Sequence, residues 1–236
     1  MKILLLIISV LPTILLALYM YNKDTLKEPK GLLIVLFLSG FISAAMVVII
    51  NTLNALILPE FYLSNNYPKY SFIKLFILIF LQVALIEELS KWVMIRFLAY
   101  NNKYFDQFFD VILYSTFVAL GFATIENILY VIEGGINLGI YRAIFSVPGH
   151  AAFGVFMGYY LGLSKIWYKK NKFTHKYYMF LSILIPSLLH TLYNFFLMLE
   201  NSYYLFIFLG FIILLYLYAF KKINKVVNID KKMIKK

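Results

Sequence analysis

The chain has 236 residues, of which 63% are hydrophobic, and a mean hydropathy of +0.83, which excludes an ordinary soluble domain. The absence of cysteine excludes disulfides and thiolate metal sites. The net charge of +11 does not point to nucleic acid, because the lysines and arginines fall between the apolar runs rather than along a binding face. In chain order, Ile3 to about Tyr19 is too long for a signal-peptide core and has no convincing small-residue cleavage site, so it reads as a first spanning helix. A polar hinge, Asn22 to Lys30, follows, with Pro29 suited to the first turn of a second helix over about Gly31 to Leu56. Pro59 to Tyr70 reads as a loop, Ser71 to Leu98 as a third span, and Ala99 to Gln107 as a short polar turn. A fourth span covers about Phe108 to Ile132 and is broken by Glu133-Gly134-Gly135, with a loop to Ile140. A fifth runs from Tyr141 to Ser164, a basic loop from Lys165 to Lys176, a sixth span from Tyr177 to Leu199, and a seventh from Tyr203 to Phe220. The expected fold is therefore an all-α, polytopic transmembrane helix bundle of about seven spans. One membrane domain covers residues 1–220, and a frayed basic cytoplasmic tail covers 221–236.

Charge sets the expected orientation. With the N-terminus outside, the inner segments carry seventeen Lys and Arg, seven of them in the tail; the outer segments carry Lys2, Lys69, Lys74 and Arg142. That bias predicts an N-out, C-in topology, with the basic inner face attracted to anionic membrane lipid.

The third span holds the unusual stretch Leu85-Ile86-Glu87-Glu88-Leu89-Ser90-Lys91-Trp92. An acid or a Lys at the centre of a lone spanning helix costs roughly 2.5–3.5 kcal/mol. Three such groups within five residues must therefore face other helices or a wet cavity. Glu87 and Lys91 share one face, acid before base, and Glu88 points about 100° away. One carboxylate can thus be neutralised by Lys91 while the other stays available.

Other spans bring their own polar groups to membrane depth. The fourth has Glu126 beside Asn127, with Asp110 nearer the inner interface. The fifth has Val147-Pro148-Gly149-His150, followed at four-residue spacing by Gly154, Gly158 and Gly162, a stripe that reads as a close helix-packing face. The sixth has His190 and, one turn on, Asn194. His175, in the lysine-rich loop, reads as solvated. A bundle satisfies Glu87, Glu88, Glu126, His150 and His190 together only by converging them on a shared polar chamber. Carboxylates, imidazoles and an Asn are the parts of water-activated hydrolysis.

Taken in order, Glu87-Glu88-x-x-Lys91, Phe122-x-x-x-Glu126-Asn127, His150 and His190-x-x-x-Asn194 resemble the PrsW family of intramembrane proteases. That family is related to the CAAX-processing and bacteriocin-immunity (CPBP) membrane proteases. The opening, Leu16 to Tyr21, Lys23-Asp24 and Glu28-Pro29, looks similar too, and the likeness covers about Leu11 to Asn194. The prenyl-processing branch usually has an Arg after its acidic pair and a His where this chain has Glu126, so prenylated substrates are not expected. The resemblance implies site-1-type cleavage of a membrane-anchored, single-pass protein, with anti-sigma factors as the substrate class, in a bacterial plasma membrane. It also makes Glu87, Glu88, Lys91, Glu126, Asn127, His150, His190 and Asn194 the expected catalytic set. Within it, Glu87 or Glu88 activates water, Lys91 holds the other carboxylate ionised, His190 and Asn194 orient water or stabilise the oxyanion, and Glu126 and His150 carry protons or act as ligands. The type of chemistry, metallo or glutamate, stays open. Two His and a Glu (His150, His190, Glu126) have the ligand count of a catalytic zinc, but the helical His-Glu-x-x-His motif is absent. The rival readings are a proton-coupled transporter, against which no internal repeat is visible, and a non-catalytic membrane immunity or binding protein.

Overall fold

The computed structural model describes residues 2–57, 70–199 and 201–234. The predicted loop from Pro59 lies, apart from Tyr70, outside the described residues. The described residues are mostly helical, with short non-helical links and no strands. Helix α1 is Lys2–Lys23 and α2 is Lys30–Ile57. The acidic span is α3 Phe72–Ile79, a π turn Phe80–Ala84, and α4 Leu85–Leu98. Then come α5 Phe108–Tyr141, a second π turn Arg142–Ser146, α6 Val147–Trp167, α7 Lys172–Met198 and α8 Ser202–Ile234. Among the described residues, five stretches are long and apolar enough to cross a membrane: Ile3–Lys23, Lys30–Ile57, Phe108–Trp167, Lys172–Met198 and Ser202–Ile234.

The bundle is organised on α5. Every residue from Phe109 to Thr124 is buried, as expected of a helix apolar on all sides. Helices α1, α2 and α6 pack directly against it. Close approach of α6 comes from its glycine stripe, as the four-residue spacing predicts. A Cβ at Gly158 would stand 2.5 Å from Ile112 Cα, so only a residue without one permits this contact. Helix α4 packs between α2, α5 and α7, so its acidic face looks into protein. The Trp92 indole donates to Ser182 Oγ at 2.9 Å and ties α4 to α7.

Three expectations are corrected. The Glu133-Gly134-Gly135 break is a kink rather than a loop. Only Gly135 leaves helical geometry (φ 74°), and the helix resumes to Tyr141, because one glycine absorbs the turn and the following residues recover helical bonding. The tail is not frayed: α8 continues to Ile234, and the Asp230 carboxylate accepts the N–H groups of Phe109 (2.8 Å) and Phe108 (3.4 Å) at the α5 N-terminus. Those donors have no intrahelical partner, so a carboxylate brought by another helix is favourable there. His175 lies in α7 rather than a loop, its ring against the Ser164 hydroxyl (2.8 Å) and carbonyl (2.9 Å).

Asp110, expected near the inner interface, caps a helix. Its Oδ2 accepts from the N–H groups of Gln107 (2.6 Å) and Asp106 (3.0 Å), closing the first turn of α5. The hinge between α1 and α2 folds onto the same end: Tyr114 donates to Glu28 Oε2 at 2.7 Å and Thr25 to Gln107 Oε1 at 2.7 Å.

Candidate active site

Five segments bring polar groups to a cavity of about 550 Å³. Its polar lining is Glu87 from α4, Glu126 from α5, Arg142 and Ser146 from the second π turn, His150 from α6, and His190 and Asn194 from α7. Its rim is apolar, with Ile79, Val83, Leu138, Leu197, Leu205 and Leu209. Both π turns abut this cavity, one just before Glu87 and one carrying Arg142. Each inserts a residue and rotates the side chains that follow, a device common at functional sites. The carbonyls loosened in the second are taken by Tyr216, whose hydroxyl donates to Phe145 O at 2.9 Å.

Helical spacing makes Lys91 the hub. It lies three residues after Glu88 and four after Glu87, so one ammonium reaches both: Glu88 Oε1 at 2.8 Å and Glu87 Oε2 at 3.4 Å. It also meets His150 Nδ1 at 3.2 Å and lies 4.0 Å from the centre of the Phe122 ring. Lys91 is 1% exposed and Glu88 0%. An ammonium only donates, so His150 Nδ1 accepts and its hydrogen sits on Nε2, which donates to Glu126 Oε2 at 2.8 Å. His190 Nδ1 lies 3.0 Å from Glu88 Oε1. The carboxylate fixes the tautomer there, leaving the Nε2 lone pair 3.9 Å from Glu87 Oε2. Phe153 stacks on His190 (centroids 4.9 Å apart, 20° between planes) and holds the ring.

The two acids therefore differ. Glu87 lines the cavity; Glu88 lies behind it, between Lys91 and His190. Asn194 reaches the cavity on the same face as His190. Asn127 does not: its amide donates to Ser9 O on α1 at 2.9 Å and its Oδ1 accepts from Arg142 Nε at 2.8 Å. Sequence reasoning missed Arg142, counting it as an outer-face charge. Its guanidinium also pairs with Glu126 Oε2 at 2.8 Å, so one side chain fixes the adjacent Glu126 and Asn127. The signal was a lone arginine at the start of a span otherwise free of charge until Lys165.

A family model described as PrsW family intramembrane metalloprotease matches residues 28–220. The chain belongs to this family. It is similar to Protease PrsW of Oceanobacillus iheyensis, 39% identical over 219 residues, 92% of this chain and 93% of that one. It is 32% identical over 238 residues to Protease PrsW of Clostridioides difficile, covering 99% and 95% of the two chains. With Protease PrsW of Bacillus subtilis the identity is 36% over 155 residues, 66% and 69% of the two chains. No solved structure matches. The chain is thus a multi-pass membrane protease of the PrsW family.

The family description implies a metal, and the arrangement of donors tests the fit. Ligand atoms of Glu87, Glu88 and His150 lie within 4.8 Å of one another, a set different from the expected His150, His190 and Glu126. The Lys91 ammonium already contacts all three. A divalent ion about 3 Å from that charge would be repelled by roughly 11 kcal/mol at an effective dielectric near 20. Both His150 nitrogens are engaged, and Glu88 Oε2, a buried oxygen without a partner, belongs to a residue outside the cavity lining. As arranged, these residues fit an ammonium rather than a metal ion.

Proposed function

We propose that this PrsW-family chain hydrolyses a peptide bond in a single-pass, membrane-anchored protein, near the outer face of a bacterial plasma membrane, with water activated by Glu87. The observation that carries this reading is the convergence of Glu87 and His190 on one cavity. Glu87 Oε2 and His190 Nε2, both acceptors, stand 3.9 Å apart, close enough to share the two protons of one water molecule. Water oxygen attacks the scissile carbonyl carbon as its proton passes to Glu87. Asn194 donates to the developing oxyanion. The C–N bond then breaks as the proton held by Glu87 passes to the leaving nitrogen, giving a carboxylic acid and an amine, and transfer of the remaining proton between them leaves a carboxylate and an ammonium. Glu88, ionised against Lys91, holds His190 in its tautomer, while Glu126 and Arg142 hold His150 as a fixed wall. The apolar rim suits a substrate segment arriving from the lipid.

Anti-sigma factors are the substrate class we put first, on the strength of the family resemblance. We place residues 1–220 in one membrane domain of about seven spans, N-terminus outside; the charge bias supports this topology, which puts Arg142 and His150 in the outer half. The test is co-expression with a tagged single-pass substrate. Wild type should release a clipped fragment, and Glu87→Gln and His190→Ala should not. Undiminished clipping in both variants would remove these residues from the mechanism, and proton flux without clipping would favour a transporter.

A further inference from the structure

We propose that the Lys91 ammonium is the resident cation of this site, occupying the position that a divalent metal would take, so that the working enzyme carries no bound metal there. This deepens the hydrolytic reading above. An ammonium has three hydrogens, and three acceptors receive them: Glu88 Oε1 at 2.8 Å, His150 Nδ1 at 3.2 Å and Glu87 Oε2 at 3.4 Å. The Phe122 ring, its centre 4.0 Å from the nitrogen, also favours a cation. The acceptors are the same three side chains whose ligand atoms cluster tightly enough for a metal. The ammonium is thus coordinated as an ion would be, by the donors an ion would use.

What remains toward the cavity is too little for a second cation. His150 Nε2 is committed to Glu126 and His190 Nδ1 to Glu88. His190 Nε2 and Glu87 Oε2 stand 3.9 Å apart, but Glu126, on the same cavity, does not join them in a close set: the grouping within 4.8 Å among the described residues is Glu87, Glu88 and His150, and a catalytic zinc takes three protein ligands. A fixed ammonium supplies part of what a metal would: it sets a positive charge against both acids and orients them. It does not polarise a carbonyl as a Lewis acid, so water activation falls to Glu87. Lys91 lies on a buried stretch of α4 and is itself 1% exposed, so its ammonium is held inside the bundle.

The test measures metal content, independently of cleavage. Detergent-purified wild type, Lys91→Arg, Lys91→Ala and Lys91→Ala/Glu88→Gln are each incubated with equimolar zinc chloride, desalted and analysed for zinc by mass spectrometry. We expect less than about 0.1 zinc per chain in wild type and Lys91→Arg, about one in Lys91→Ala, and loss of that zinc in the double variant. Wild type should also clip its substrate after chelation. The proposal is overturned if wild type retains about one zinc that Glu87→Gln or Glu88→Gln removes, or if folded Lys91→Ala stays empty. Should Lys91→Ala fail to fold, the wild-type and Lys91→Arg measurements decide. Zinc-bound wild type that clips would sink this inference alone; metal-free wild type that clips no membrane protein would sink the proposed function alone.

Discussion

At the scale of single residues, Glu87 and Glu88 are neighbours in sequence but not equivalents. Glu87 faces the cavity beside the free nitrogen of His190, whereas Glu88 is sealed behind it against Lys91. Glu87→Gln should lower the cleavage rate by about 10²–10⁴-fold, the usual contribution of a positioned acid–base group. Glu88→Gln should cost about 10–100-fold, as expected of a group that acts by orienting another. Rates measured on purified variants check this, and the reverse order would exchange the two roles. Arg142 offers a further test. Its guanidinium donates from two nitrogens to Glu126 and Asn127 at once, which a lysine ammonium cannot reproduce in the same plane. Both Arg142→Gln and Arg142→Lys should therefore lose roughly tenfold in rate. A Lys variant with full activity would show that charge alone is needed.

At the scale of elements, the α5–α6 contact and the inner end of α5 carry most of the construction. A methyl group at Gly158 would be driven against the backbone of Ile112, so Gly158→Ala should destabilise the fold by about 1–3 kcal/mol. Gly210, in α8 with nothing within 4 Å of its Cβ position, is the control. There the alanine should be neutral or stabilising by up to about 1 kcal/mol. Thermal unfolding in detergent compares the two, and equal losses would refute the close-packing account. The hinge makes a prediction about pH. Burial pushes the Glu28 carboxyl up to about 7 from its ordinary 4.5; the Tyr114 hydroxyl bond opposes this, while Asp24 and Asp106 reinforce it. The folded chain therefore binds a proton there that the unfolded chain releases. Stability is full at low pH and is lost as the pH rises from 4.5 to about 7. Asp24, itself raised by burial, acts in the same sense. The melting temperature should fall between about pH 5 and pH 8, and by less in Glu28→Gln. An unchanged difference would show that Glu28 is not the titrating group.

At the scale of the whole molecule, topology is the open expectation. The chain has no cysteine, so single-cysteine reporters need no background removed. Lys170→Cys should react with a membrane-impermeant thiol reagent only after the membrane is broken, and Asn137→Cys in intact cells. The opposite pattern would invert the bundle and move the cavity to the inner half. Much of the architecture was legible in advance because lipid imposes a simple rule: apolar runs long enough to span become helices, and their charged interruptions must find partners. That rule located Glu87, Glu88, Glu126, His150 and His190 as a group, and the glycine spacing marked the close-packing face of α6, though not its partner.

The rule is silent on which partner each charge finds. Sequence spacing placed Lys91 within reach of both acids, but only the packing of α6 against α5 brought His150 to the same ammonium and made it the centre of the site. Asn127 stands next to Glu126 in the chain and yet turns to α1, since adjacent helical residues point in different directions. Arg142 reaches that carboxylate from beyond the Gly135 kink, and Asp230 caps a helix more than a hundred residues away. The sequence by itself determined which apolar runs become helices and the inventory of polar groups at depth, because these follow from local hydrophobicity and period. The pairing among those groups was decided by tertiary structure alone, because it depends on distances between helices that no spacing along the chain encodes.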